Sequence, residues 1–258
     1  MSLSDSLWRP RQIIAHRGSR LAWPENTMLA FGNGIQAGAD HLETDVHLTA
    51  DGHIVCFHDD TLDRTTDGTG AVSSLTLSEI RRYDAGYRHS VHGGFPFRGR
   101  GLRVPTLGEV LATFPGVGVI VDLKQEGLEQ PLIDLVDRLD AWKRVIVGSF
   151  VEARLNTLRR LSDGVAQVSA GPETARRWWW ASRLGRPGPV GPVALQVPPT
   201  RLGMVVVDRR LVRAAHDAGL AVHVWTINQR SEMDRLWSLG VDALITDRVD
   251  LAREVTSA

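Results

Sequence analysis

In the run Leu42-Glu43-Thr44-Asp45-Val46-His47, alternate side chains of an extended strand share a face, so Glu43 and Asp45 point the same way. Two carboxylates side by side repel each other unless a cation lies between them. The next strand-like run, His53–His58, is joined to Leu42–Leu48 by the turn Thr49-Ala50-Asp51-Gly52. That link is too short for the crossover parallel neighbours need, so the pair must be an antiparallel hairpin. With Asp51-Gly52 as the two turn residues, His58 falls opposite Asp45; a four-residue loop sets it opposite Glu43. Either register brings an imidazole to the acid pair. His16 ends an earlier apolar run and is followed by Arg17, while Asp122 and Lys124 flank Leu123 at the end of a later one, again in phase. Together these residues supply oxygen ligands for a hard divalent ion, cations for an anion, and two groups that titrate near neutrality. Phosphoryl chemistry uses all of them. The plainer alternatives are a solvated acidic strand face, a structural histidine and a buried Asp–Lys pair.

The elements that must position these groups are legible as short runs rich in Val and Ile. Candidate strands are Ile13–His16, Leu42–Leu48, Val119–Leu123, Val145–Ser149, Ala166–Ser169, Ala194–Val197, Ala221–Thr226 and Ala243–Thr246, with helical spacing between them. Setting the hairpin arm aside leaves eight parallel strands, which in a chain of about 250 residues is what a (β/α)8 TIM barrel requires. The expected fold is therefore an α/β barrel with an antiparallel hairpin after the second strand. His16, Arg17, Asp122 and Lys124 then stand at the C-terminal mouth, where such barrels keep their active sites. Thr76-Leu-Ser-Glu79 and Thr106-Leu-Gly-Glu109 match the capping box, and Leu155, Leu158 and Leu161, like Met233, Leu236 and Leu239, recur at helical spacing. The stretch 85–103 is too long and irregular for a connector and is expected to be an inserted lid or binding loop. No repeat or linker divides the chain, so one domain over 1–258, with a core at about 11–251, is expected.

Composition narrows the function classes. Thirty Lys+Arg balance thirty Asp+Glu, leaving no bulk positive field to hold nucleic acid. A hydrophobic fraction of 43% is ample for a core and excludes disorder as the main state. The one cysteine, Cys56, can form neither an internal disulfide nor a structural zinc site, and it reads as a packing residue. No signal-peptide pattern precedes Arg9 and no apolar run reaches membrane-spanning length, so a soluble cytoplasmic protein is expected.

The same residues resemble a known family. His16-Arg17-Gly18, Pro24-Glu25-Asn26-Thr27, Gly38-Ala39-Asp40 with Glu43 and Asp45, Thr49-x-Asp51-Gly52, and His58-Asp59 through Leu62 and Arg64 match the glycerophosphodiester phosphodiesterases in order and spacing. So do Trp225-Thr226-x-Asn228 and Gly240-Val241-Asp242 through Thr246-Asp247. The resemblance implies a phosphoric diester hydrolase that cleaves glycerophosphodiesters to glycerol 3-phosphate and an alcohol with a divalent metal, Mg²⁺ or Ca²⁺. Carried over by position, it makes His16 and His58 the general acid/base pair and Glu43, Asp45 and Asp122 the metal ligands. Arg17 and Lys124 become phosphate contacts. The family usually has Glu where this chain has Asp122, which implies a shifted metal, an inserted water or a different ion. Trp225 is assigned either to the glycerol part of the substrate or to the core.

Other features carry less. Gly32-Asn-Gly34-Ile-Gln-Ala-Gly38 imitates a dinucleotide fingerprint but follows a helical segment, so it reads as a helix end. His47 shares the face of Glu43 and Asp45; it is expected to support the site from behind or to serve the structure, in preference to lying near the metal. Trp178-Trp179-Trp180 with Arg176, Arg177, Arg183 and Arg186 is expected to pack its tryptophans on the barrel in preference to touching a lipid surface. A lysophospholipid substrate and a catalytically silent phosphate-binding barrel are the competing functions.

Overall fold

The computed structural model describes residues 10–257. Strands β1 (Gln12–His16), β2 (His41–Leu48), β4 (Gly118–Leu123), β5 (Val145–Gly148), β6 (Ala194–Val197), β9 (Ala221–Val224) and β10 (Ala243–Thr246) are parallel, in the spatial order β5-β4-β2-β1-β10-β9-β6. They form a nearly closed barrel. The expected eighth strand, Ala166–Ser169, makes one bridge to each neighbour, Val147↔Val168 and Ser169↔Ala194, and occupies the gap between β5 and β6. Hydrogen bonds from Ser169 N to Val147 O (2.9 Å) and from Val193 N to Val168 O (2.9 Å) continue the ladder across it.

Between the strands run α1 (Met28–Gln36), the single turn α2 (Leu77–Ile80), α3 (Leu107–Thr113), α4 (Glu129–Arg138), α5 (Glu152–Leu161), α6 (Pro172–Leu184), α7 (Arg209–Asp217), α8 (Arg230–Leu239) and α9 (Val249–Ser257). Both expected capping boxes are present, with Thr76 and Thr106 each accepting from the backbone of the Glu three residues on. Leu155 and Leu158 of α5 are buried, whereas Leu161 at its end is 39% exposed.

Alternation along the strands divides the apolar residues into two layers. Ile14, Ile120, Ile146 and Ile245 fill the barrel interior. Ile13, Ala15, Leu42, Val119 and Val121 face outward to the helices. The inward set continues upward from Ile14 to His16 and from Ile120 to Asp122, so the residues after the buried isoleucines form the floor of the mouth. Among the described residues, no helix is long and apolar enough to cross a membrane.

The hairpin of β2 with β3 (Ile54–Cys56) corrects the expected register. Val46 pairs with Cys56 and Leu48 with Ile54, and Thr49 N donates to His53 O at 2.9 Å, so the loop is the three residues 50–52. Both anticipated registers are off by one residue. The Thr49 side chain explains the loop: its Oγ1 donates to Asp51 Oδ1 (2.6 Å) and accepts from His53 N (2.9 Å), while Gly52 takes φ +81°. The last ladder bond runs from Phe57 N to Asp45 O (2.9 Å), and His58, one residue beyond it, leaves the pleat and reaches the mouth despite the slip. A second hairpin, β7 (Thr200–Arg201) with β8 (Met204–Val205), lies outside the barrel sheet and was not foreseen.

Candidate active site

Strand register assembles the site. In the β1–β2 pair His16 is the partner of Glu43, and in the β2–β4 pair Asp45 is the partner of Asp122. The loop after β1 then turns sharply under α1. Gly18 has φ +82°, and a Cβ there would stand 2.6 Å from Ala30 Cβ and 2.8 Å from Phe31 N, so any side chain would force α1 or the loop to shift. Arg17, Ser19 and Asn26 also adopt left-handed backbone in this loop. Such strain persists where surrounding structure fixes it, commonly at functional sites.

His16 Nδ1 is 2.6 Å from Asp247 Oδ1, and His16 Nε2 is 3.9 Å from Glu43 Oε2. His58 Nδ1 is 2.6 Å from Asp59 Oδ1. A carboxylate can only accept, so each imidazole carries a proton on Nδ1, and Nε2 is the nitrogen left to exchange protons. Asp247 also accepts from Arg20 Nε (3.0 Å) and Asn228 Nδ2 (2.9 Å). Burial works against its charge, but the bonds from His16 and Asn228 hold its carboxyl below the usual range. Burial likewise opposes ionisation of Asp59, and Arg64 and His58 overcome it, holding that carboxyl near 2.

Lys124 Nζ bridges Asp45 Oδ1 (2.8 Å) and Asp122 Oδ2 (2.6 Å). The buried Asp–Lys pair anticipated as the plainer alternative therefore exists, with Asp45 as a further partner. Arg17 donates from Nη1 to Glu25 Oε1 (3.0 Å) and from its backbone N to Glu43 Oε2 (3.1 Å). Its Nε lies 3.0 Å from Asp45 Oδ2 without hydrogen-bonding alignment, so that contact is charge proximity alone. Arg64 ties the network together, donating to Glu25 Oε2 (2.9 Å) and Asp59 Oδ2 (2.6 Å). Burial and the charges of Asp45 and Asp122 push the Glu43 carboxyl up to about 7. Asp45 is held down against its burial by Arg17 and Lys124; burial pushes Asp122 up, and burial pushes His58 down.

The residues anticipated from sequence thus converge: His16, Arg17, Glu43, Asp45, His58, Asp122 and Lys124 share one connected network. Trp225 stands at its rim, its ring 5.6 Å from Phe150 edge-on, and Lys124 Nζ is 5.6 Å from the Phe150 ring centre. His47 supports the site from below, with Nδ1 3.1 Å from Gln125 Oε1 and Nε2 3.2 Å from the carbonyl of His58. Cys56 is buried, its thiol pushed up to about 12 by burial. From sequence, Glu25, Asn26, Asp59, Arg64, Asn228 and Asp247 stand only as parts of motifs. Their contacts give them work: Asn26 Nδ2 donates to Asp45 Oδ2 (3.2 Å), and its Oδ1 accepts from Thr44 (2.8 Å). A cleft of about 170 Å³ opens beside the network, lined by Arg20, Glu25, Arg64, Arg88 and His89. The 85–103 stretch walls it, with Phe97 edge-on to His89 (5.4 Å) and to Trp23 (5.9 Å).

The donor set suits a divalent ion. Glu43, Asp45 and Asp122 are buried oxygen donors, and the network joins six carboxylates to four fixed cations: Arg17, Arg20, Arg64 and Lys124. Fully ionised, those groups leave two negative charges for a cation to offset. Among the described residues no three donors stand in coordinating geometry, and Lys124 Nζ lies between Asp45 and Asp122.

A parallel barrel that gathers acids, imidazoles and guanidinium groups at the C-terminal ends of its strands is built as a barrel enzyme with acid/base groups and an anion-binding mouth. The chain matches the glycerophosphoryl diester phosphodiesterase family over residues 16–251 and belongs to that family. It is accordingly a phosphoric diester hydrolase. It is 33% identical over 254 residues to "Probable glycerophosphodiester phosphodiesterase 2" of Mycobacterium tuberculosis, covering 96% of this chain and 91% of that one. It is 32% identical to a glycerophosphodiester phosphodiesterase of Caldanaerobacter subterraneus subsp. tengcongensis, covering 91% and 93% respectively. Among solved structures, a phosphodiesterase of Oleispira antarctica in complex with the product sn-glycerol-3-phosphate superposes with a TM-score of 0.76 at 27% identity, covering 98% of this chain and 100% of that one.

Proposed function

We propose that the protein hydrolyses glycerophosphodiesters to glycerol 3-phosphate and an alcohol, with His16 and His58 as general acid and base. The observation that carries this reading is the pair of imidazoles, each fixed through Nδ1 by a carboxylate at 2.6 Å, beside buried acids and cations. One imidazole takes a proton from the attacking oxygen and the other gives one to the leaving alcohol; the attacking oxygen belongs to water, or to the substrate's neighbouring hydroxyl with water then opening the cyclic phosphate to glycerol 3-phosphate. Arg17 and Lys124 meet the phosphate, where a guanidinium fork and an ammonium stabilise charge growing on the phosphoryl oxygens. Glu43, Asp45 and Asp122 would hold a hard divalent ion, Mg²⁺ or Ca²⁺, which would supply Lewis-acid polarisation of the phosphate and offset the excess negative charge. Asp122, one methylene shorter than the family's Glu, sets which ion fits. Trp225 flanks the glycerol moiety at the rim, and the 85–103 stretch covers the leaving-group side. The relative solved with sn-glycerol-3-phosphate supports the glycerophosphate half of this substrate. We place the activity in the cytoplasm, in keeping with a single buried thiol and no need for an oxidising compartment.

The test offers glycerophosphocholine, glycerophosphoethanolamine, glycerophosphoinositol and a lysophospholipid to the protein with Mg²⁺, with Ca²⁺ and after chelation. Metal-dependent release of glycerol 3-phosphate from the deacylated diesters is expected. Full turnover after exhaustive chelation would remove the metal from the account, and release of head group from the lysophospholipid alone would change the substrate.

A further inference from the structure

The β7–β8 hairpin and α6 carry features the catalytic site does not use. β7 follows two prolines after β6, so the hairpin projects from the C-terminal end of the barrel, the end that holds the acids and histidines. At its tip Leu202 is 90% exposed, and Met204 and Val205 are 55% and 51% exposed. Trp179 Nε1 donates to Val205 O at 3.2 Å, which seats the hairpin on α6. Trp178 packs inward as expected, 2% exposed, but Trp180 is 57% exposed and lies edge-on to Trp179 with ring centres 4.9 Å apart. Helical spacing sets Arg176, Arg177, Trp180 and Leu184 on one face of α6, all of them exposed. Charge is segregated in the same stretch. Residues 171–213 hold eight arginines and two acids, an excess of six positive charges in a chain whose total is zero, so the remainder is net acidic.

We propose that this hairpin and the outer face of α6 form a docking surface for an anionic lipid bilayer. Exposed Leu, Met and Trp enter the interface between headgroups and acyl chains, and the arginines around them meet lipid phosphates. Charge complementarity selects this occupant: the region is strongly cationic while the molecule as a whole is neutral, so the attraction is local and directional. Docked this way, the mouth lies near the membrane at which deacylated lipid fragments arise. The surface is separate from the residues assigned to catalysis, so its failure would leave the hydrolytic reading standing.

The experiment sediments the full chain with vesicles of phosphatidylcholine alone or of phosphatidylcholine with roughly a third phosphatidylglycerol, at low and high salt. Pelleting only with the anionic vesicles, reversed by salt, is expected. Each basic residue seated at such a surface contributes roughly fivefold to partitioning, so the pair Arg176→Glu and Arg177→Glu should lower binding at least twenty-five-fold by roughly that factor per residue. Leu202→Asp with Met204→Asp should abolish pelleting while kcat/KM on a water-soluble diester stays unchanged, and thermal melting confirms that these exposed positions leave the fold intact. Equal pelleting with neutral vesicles, no pelleting at low salt, or undiminished pelleting of the hairpin variant would each overturn the proposal. A lipid-free dimer abolished by the hairpin variant, with no vesicle binding, would assign the surface to a second copy of the chain.

Discussion

Asp247→Asn keeps the shape of a side chain that is 1% exposed and removes the charge that fixes His16. In the native site one carboxylate accepts from His16 Nδ1, Arg20 Nε and Asn228 Nδ2 at 2.6, 3.0 and 2.9 Å. An amide at this position offers one acceptor oxygen to three donors. Either its NH₂ takes the place of Oδ2 and faces the Asn228 donor, or it takes the place of Oδ1, faces Arg20 and His16, and forces the proton from Nδ1 to Nε2. In the second case the nitrogen facing Glu43 can no longer accept a proton. A hydrogen bond to a charged group contributes about 1.5–3 kcal/mol, so losing it from the transition state should lower kcat by roughly 10- to 150-fold at about 1.4 kcal/mol per decade. The assay is steady-state hydrolysis of glycerophosphocholine across pH, with kcat and KM measured separately. KM should change little because Asp247 touches no group assigned to substrate, and the pH dependence of kcat should shift, which a purely structural role would not produce. A kcat within twofold of native with an unmoved pH profile would refute the positioning role.

Three other outcomes follow from the packing. Gly18→Ala must accept φ +82° and crowd Ala30 and Phe31; left-handed strain and overpacking together cost about 2–4 kcal/mol, so Tm should fall by roughly 5–15 °C, and an unchanged Tm would show that the loop relaxes freely. Cys56 is buried with its thiol raised to about 12, so iodoacetamide at pH 8 should leave the native protein unmodified and alkylate it in denaturant; rapid native labelling would contradict the burial. Burial, with His41 nearby, lowers His223 from 6.5 to about 3. The unfolded chain therefore takes up a proton that the folded chain refuses, and stability is lost as pH falls from 6.5 toward 3. The urea midpoint of His223→Gln should decline less steeply over that range, and an identical slope would refute this.

Much of the site was legible because strand alternation is strict. Glu43 with Asp45, and Asp122 with Lys124, could be set on one face from their spacing, and the end of β1 placed His16 at the mouth. The hairpin register was not legible, because choosing among loops of two, three and four residues depends on the Thr49 hydroxyl bonding across the turn. The partner of His16 was hidden by distance: Asp247 lies 231 residues away and meets it only because β10 closes against β1. One signal was available. Asp247 directly follows the last strand, the same kind of position as Arg17 after the first. Glu25 and Arg64 come from irregular segments, where no periodicity tells which way a side chain points. Ala166–Ser169 read as a full strand from its composition, but four residues make only one bridge on each side.

Two imidazoles at the mouth of this barrel are proposed to carry proton transfer in the hydrolysis of a glycerophosphodiester. The most direct measurement is the rate of glycerol 3-phosphate release from glycerophosphocholine by the native protein, His16→Ala and His58→Ala, each saturated with Mg²⁺ or Ca²⁺ and matched in Tm. Robust release by the native chain and a loss in kcat of about a hundredfold or more for each variant are expected. Release at near-native kcat from either variant would contradict that role.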